Sequence, residues 1–225
     1  MTITDKWAFS PNKNKYMHRI LIFGDSITYG AWDKEGGWVA RLRKYVDEKI
    51  FVDPNYYNII LNLGISGNNS TDILKRFEFE LQQRIKEEGE TVIIFAFGTN
   101  DAQLFNGKFR TEPEQFKENL QKLLDSSRKY TDKIFFVGLF PVDESRSAPI
   151  AWHKEKFYKN ENVRNNNEII RNFCDQNKLV FIEIFENFIN LDCRSLLDDG
   201  VHPTSEGHEK MFEIIKESLI KNKII

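Results

Sequence analysis

The stretch Ile20-Leu21-Ile22-Phe23-Gly24-Asp25-Ser26-Ile27-Thr28-Tyr29-Gly30 reads as a buried strand that runs into a turn and then a helix. Four apolar residues without alternation suit a parallel strand covered on both faces. Gly24 breaks the run, and Asp25-Ser26 brings polar side chains and helix-start amides to the carboxyl end of the strand. A serine there has its hydroxyl at the open edge of a sheet, a good address for a nucleophile. A Gly-x-Ser after a strand is also ordinary turn chemistry, a serine that caps the next helix. The rest of the chain decides between the two.

Working outward, the run Arg19–Phe23 is followed by similar ones at Tyr57–Leu63, Val92–Phe97, Ile134–Phe140 and Leu179–Ile184, rich in Ile, Val and Phe. Between them apolar residues recur every three to four positions. Trp38, Leu42, Val46 and Ile50 mark one helix, and Ile73, Leu74, Phe77, Leu81 and Ile85 a second. Phe116, Leu120, Leu123 and Leu124 mark a third, introduced by Thr111-Glu112-Pro113-Glu114, which reads as a capping box with proline in the first turn. A fourth spans Tyr158 to Gln176, and a last runs from Ser205 to about Lys221. A β-α unit repeated five times predicts an α/β fold: a three-layer α/β/α, flavodoxin-like, doubly wound sheet of about five parallel strands.

The 225 residues are expected to form a single domain over 1–225, with 1–17 an N-terminal extension and 140–158 a candidate lid or substrate loop. With 32 Lys+Arg against 34 Asp+Glu, interleaved along the chain, nothing points to nucleic acid or an anionic membrane as partner. Arg41-Leu42-Arg43-Lys44 reads as the solvated face of a helix. The first residues have no apolar core of the kind an export signal needs, and no run is long enough to span a bilayer. A cytoplasmic protein is therefore expected, without stable membrane association, its Cys174 and Cys193 as thiols. The four histidines and two cysteines have no ligand spacing, so no metal site is expected.

Ligands of such sheets bind beyond the carboxyl ends of the strands. Ser26 follows the first run. Asn62-Leu63-Gly64-Ile65-Ser66-Gly67-Asn68 closes the second, its glycines leaving backbone N–H groups exposed. Gly98-Thr99-Asn100-Asp101 follows the third, and Asp198-Asp199-Gly200-Val201-His202-Pro203 precedes the last helix. Acyl transfer needs a nucleophile, a base, a group that orients the base, and oxyanion donors. Ser26 can attack, His202 can take its proton, and Asp199, three residues earlier, can hold the imidazole. The Ser26 N–H, the Gly64 N–H and the Asn100 side-chain amide can receive the oxyanion.

These four ordered blocks resemble the GDSL esterase, or SGNH hydrolase, family: Gly24-Asp25-Ser26 with Ile27-Thr28-Tyr29-Gly30, then Gly64, then Gly98-Thr99-Asn100-Asp101, then Asp199-Gly200-Val201-His202-Pro203. The resemblance implies the fold already read, hydrolysis of small to medium acyl esters or thioesters without metal or cofactor, and a Ser26-His202-Asp199 triad. There is no departure at Ser26, Gly64, Asn100 or His202. Gly24-x-Ser26-x-Thr28 also lacks the second glycine of the α/β-hydrolase elbow. Family members act on lysophospholipids, acyl thioesters, aryl esters and acetylated carbohydrates, so the substrate stays open among these. Two other classes compete: a binding module of the same fold without turnover, and a receiver-type domain using Asp25 for phosphoryl or metal chemistry. The latter leaves the Asn100 and His202 blocks unexplained.

The substrate-facing candidates are Asp25, Trp32, Asp101, Trp152 and Val201. Asp25 and Asp101 read better as loop braces than as proton carriers. Trp38 reads as core. His18, ahead of the first strand, and His208, in the last helix, read as surface histidines, whereas the segment of His153, with Trp152, Phe157 and Tyr158, reads first as a variable surface loop, with a lid or an acyl-binding wall as the alternative.

Overall fold

Ile20, Leu21, Ile22 and Phe23 are fully buried, and their alternation divides them between two cores, Leu21 and Phe23 in one, Ile20 and Ile22 in the other. They belong to the second strand of a five-stranded sheet covered on both faces. The computed structural model describes residues 16–53, 55–191 and 193–225. In chain order the elements are β1 (Tyr16–Gly24), α1 (Ser26–Tyr29), α2 (Gly37–Val52), β2 (Tyr56–Gly64), α3 (Ser70–Gln82), β3 (Glu90–Ala96), β4 (Leu104–Phe105), β5 (Lys108–Phe109) and α4 (Pro113–Ser127). There follow β6 (Ile134–Val137), α5 (Glu144–Ser147), β7 (Lys156–Phe157), α6 (Asn160–Asn177), β8 (Val180–Ile182), α7 (Phe185–Ile189), a 3₁₀ turn at Cys193–Leu196, and α8 (Ser205–Lys221).

The large sheet has the order β2-β1-β3-β6-β8, every pairing parallel. This is the flavodoxin-like arrangement expected from the alternating runs, with its switch point between β1 and β3, where the chain leaves the sheet in opposite directions. Helices α3, α4 and α6 cover one face, around Phe23, Phe77, Phe95 and Phe136. The Phe95 ring lies 5.5 Å from that of Phe77 and 5.0 Å from that of Phe136. Helices α2 and α8 cover the other face with Trp38, Leu42, Met211 and Ile215. Gly24 pairs with Gly64 on one side and Ala96 on the other, so β2, β1 and β3 end at one level.

Several expectations need correction. Tyr16 and Met17 belong to β1, so of the segment read as an N-terminal extension only 1–15 falls outside the described residues. His18 lies within β1 and is buried, its Nε2 3.0 Å from Glu90 Oε2. His208 is also buried, on the core face of α8. β6 stops at Val137 rather than Phe140, because Asn167 of α6 accepts the Leu139 N–H at 2.9 Å and draws that backbone out of the ladder.

The capping box at Thr111 does not form: Glu112 is the N-cap without a side-chain bond, and the Thr111 hydroxyl accepts from Asn69 instead. A capping box stands at Asn69 and Asp72, ahead of α3. Arg41 is not solvated; its guanidinium pairs with Asp33 and with Glu209, tying α2 to α8. A small antiparallel sheet, β5-β4-β7, was not foreseen at all. It takes in the end of the 140–158 segment, which is also held by the bond from Tyr158 N to Ser147 O at 2.9 Å.

Candidate active site

Gly24 ends β1 so close to its neighbours that a Cβ there would collide with Thr28 Oγ1 and the Ala96 carbonyl. Only glycine permits the tight exit. Asp25 is the N-cap of α1, its carboxylate accepting from the Ile27 N–H at 3.0 Å, and Thr28 Oγ1 donates to Ala96 O at 3.0 Å. These two bonds pin the first turn of α1 to the end of β3 and present Ser26 at the rim.

On the opposite wall, the loop between the 3₁₀ turn and α8 folds back on itself through the bond from Asp198 N to His202 O at 2.8 Å. Within it Asp199 Oδ1 accepts from the His202 and Val201 N–H groups at 2.8 and 2.9 Å. Asp199 Oδ2 lies 2.6 Å from His202 Nδ1, and His202 Nε2 lies 2.9 Å from Ser26 Oγ. A carboxylate can only accept, so Nδ1 carries the ring proton and Nε2 offers a lone pair to the Ser26 hydroxyl. Burial alone would raise the Asp199 carboxyl, but the bonds from the His202 ring and from the His202 and Val201 amides outweigh it and hold the group at about 2. Asp199 is an anion wherever the protein is folded near neutrality.

Trp32 stands over this pair, with Nε1 3.1 Å from Asp199 Oδ2 and 3.1 Å from His202 Nδ1. Since Nδ1 is already a donor, the indole N–H donates to Asp199. The residue holds a left-handed φ of 67°, unusual for a bulky side chain, and is 66 % exposed.

The three anticipated oxyanion donors stand at or just beyond the ends of β1, β2 and β3. The Gly64 N–H donates to Asn62 Oδ1 at 2.9 Å, while Asn62 Nδ2 donates to Thr28 O at 3.0 Å, so Asn62 staples the end of β2 to α1. Asn100 Nδ2 donates one hydrogen to Asn68 O at 3.0 Å, and Asn100 Oδ1 accepts from the Tyr158 hydroxyl at 3.0 Å. Burial pushes the Tyr158 phenol well above its ordinary value, so it stays a donor. Held at both ends, the amide has its second Nδ2 hydrogen to offer.

Other candidates fall elsewhere. Asp101 has no solvent exposure and accepts from the Ser70 N–H and hydroxyl, bracing the start of α3 rather than meeting a ligand. Burial lifts both its carboxyl and that of Asp25 to about 6. Val201 is buried in the core, and Trp152 is exposed in a turn at 151–152. Arg146, from the 140–158 segment, was missed. It donates to Asp198 O at 2.8 Å and to Leu197 O and Arg194 O at 3.0 Å each, clamping the acid–base loop from below. Among the described residues no group of three or more His, Cys, Asp or Glu side chains is placed to hold a metal ion, and no helix is long and apolar enough to cross a membrane.

Most of the chain resembles known proteins. A Bacillus subtilis lipoprotein, YqeF, is 25 % identical over 228 residues, covering 89 % of each chain. An isoamyl acetate-hydrolyzing esterase of Schizosaccharomyces pombe is 32 % identical over 111 residues, 49 % of this chain and 40 % of that protein. The lipase/acylhydrolase of Enterococcus faecalis superposes with a TM-score of 0.70 at 22 % identity, over 90 % of this chain and 95 % of that one. Residues 22–210 match the model of the GDSL-like Lipase/Acylhydrolase family.

Proposed function

The chain belongs to the GDSL-like lipase/acylhydrolase family and is a hydrolase of ester bonds, and from that premise we propose that it cleaves short acyl esters through a Ser26-His202-Asp199 triad. The observation that carries this reading is the unbroken chain of contacts from Asp199 through His202 to Ser26, at 2.6 and 2.9 Å. Ser26 Oγ attacks the ester carbonyl as its proton passes to His202 Nε2, and Asp199 stabilises the imidazolium that forms. The Ser26 N–H, the Gly64 N–H and Asn100 Nδ2 receive the oxyanion; the Gly64 N–H does so by sharing or leaving its bond to Asn62. His202 then returns the proton to the departing alcohol, and the acyl-enzyme is hydrolysed by a water from which His202 takes a proton.

An acetyl or similarly short acyl group is favoured by the fission-yeast relative, named for an acetate ester. A carbohydrate O-acetylester, a lysophospholipid or a thioester would use the same chemistry. The test is hydrolysis of p-nitrophenyl esters from acetyl to decanoyl by wild type and Ser26→Ala. Turnover greatest at the short end and abolished by the substitution is expected. Absence of turnover along the whole series would leave a binding module instead, and full activity of Ser26→Ala would move the nucleophile.

A further inference from the structure

We propose that the cleft beside Asn100 binds an anionic group of the ester substrate, carried by Lys108 and Lys156 on either side of Phe105. The inference rests on the serine-esterase reading above and names a class of substrate for it. The cleft has a volume of about 980 Å³ and is lined by Ser66, Gly67 and Asn68 after β2 and by residues of β4, β5 and β7. It adjoins the oxyanion side of the site directly, because Asn68, one of its walls, accepts the hydrogen bond from Asn100 Nδ2. An acetyl group would leave nearly all of that space unfilled; a sugar or substituted aryl group suits it far better.

Its charge is the second observation. Three cations, Lys108, Arg110 and Lys156, face one carboxylate, Asp72, on a chain whose formal net charge is −2. Asp72 is already engaged, 3.3 Å from Arg110 and bonded to the Asn69 N–H at the start of α3. Among the described residues no carboxylate lies within ion-pairing distance of Lys108 or Lys156, whereas Arg110 is paired with Asp72.

The register of the small sheet explains how the two lysines act together. Phe105 of β4 stands directly opposite Lys108 of β5 and Lys156 of β7. Directly opposed residues of antiparallel strands project from the same face, so Phe105 shares a face with Lys108 on one side and Lys156 on the other. The half-exposed Phe105 ring gives an apolar floor, and its other edge is supported by His153 at 5.6 Å. Asn68, Gln103 and Asn106 add amides around it. A flat apolar floor between two unpaired cations, rimmed with amides, suits a carboxylate or phosphate attached to a ring or a short chain. Tyr158, two residues after Lys156, bonds to Asn100, so the strand that supplies one lysine also positions the oxyanion amide.

Paired substrates test this. p-Nitrophenyl hemisuccinate is compared with p-nitrophenyl butyrate for an anion on the acyl side, and methyl O-acetylglucuronoside with methyl O-acetylglucoside for one on the alcohol side. In wild type the anionic member of at least one pair is expected to have a kcat/KM about 10-fold higher, falling at high salt. In Lys108→Gln/Lys156→Gln the ratio within that pair should drop below about 2-fold, and in Lys108→Arg/Lys156→Arg it should survive. Because each ratio is taken within one variant, a general loss of folding or turnover cancels. Ratios within 2-fold for both pairs in wild type, or a preference that persists in the double Gln variant, would overturn the proposal. Failure of wild type on every member of both pairs would instead overturn the esterase reading itself.

Discussion

Tyr158→Phe removes one oxygen, and its consequence can be worked out from the structure. The hydroxyl donates to Asn100 Oδ1 at 3.0 Å, and both residues are buried, at 7 and 6 % exposure. Without it, Asn100 Oδ1 becomes an unsatisfied buried acceptor, which costs about 1–3 kcal/mol of stability. The catalytic effect is separate. Loss of an oxyanion donor outright costs about 3–4 kcal/mol of transition-state stabilisation. Here the donor stays, still tethered by Asn68 O, and loses one of its two restraints. A loss of roughly a third to a half of that figure, about 1–2 kcal/mol, corresponds to a fall in kcat of about 5- to 30-fold.

KM for p-nitrophenyl acetate should stay within about twofold, because the interaction matters most when charge develops on the oxygen. In an Asn100→Ala background the same substitution should have no further effect on kcat, since the residue acts only through Asn100. An equal fall in both backgrounds, or a raised KM with unchanged kcat, would refute the reasoning, and a melting curve measured alongside separates stability from turnover.

Further outcomes follow from the same contacts. Asp199→Asn keeps the shape but offers an N–H to His202, favours the wrong tautomer, and should reduce kcat about 10⁴-fold by analogy with other triads. Arg146→Met frees the carbonyls of Arg194, Leu197 and Asp198; faster amide exchange over 194–202 with kcat lowered about 10-fold is expected, and unchanged exchange would contradict the clamp. Burial pushes His208 down from 6.5 to about 4. Between those values the unfolded chain holds the proton and the folded one does not, so acidification from pH 6.5 to 4 removes about 3 kcal/mol of stability through this group. Asp25 and Asp101, raised to about 6, act in the opposite sense over the same window. The difference between wild type and His208→Leu in denaturant titrations therefore isolates the histidine; parallel curves over that pH range would argue against it.

The large sheet and its main helices were legible because long apolar runs and three-to-four-residue spacing are strong signals. β4, β5 and β7 were not, since two-residue strands have no period to detect, and the third joins the β4-β5 hairpin only by pairing across some fifty positions. The triad and oxyanion candidates were visible because each sits at the end of a legible run, and the structure brings Ser26, His202 and Asp199 together. Tyr158 and Arg146 were invisible as supports, since their partners lie far away in sequence. His208 is different. It shares a helical face with Met211, Phe212, Ile215 and Leu219, and that spacing already spoke for burial over exposure.

The level ending of β2, β1 and β3, with Gly24 opposite both Gly64 and Ala96, makes the sheet itself the ruler of the site. Neighbouring strands stand about 4.8 Å apart wherever backbone hydrogen bonds hold them. The spacing of Ser26 and Gly64, two of the proposed oxyanion donors, is therefore set by backbone pairing deep in the core, and a slip of one residue between β1 and β2 would part them. Redesign of this protein for a new ester then has a natural division of labour. The strand ends are better left untouched, and residues 103–110 and 151–157, which take no part in that pairing, are the ones to rebuild.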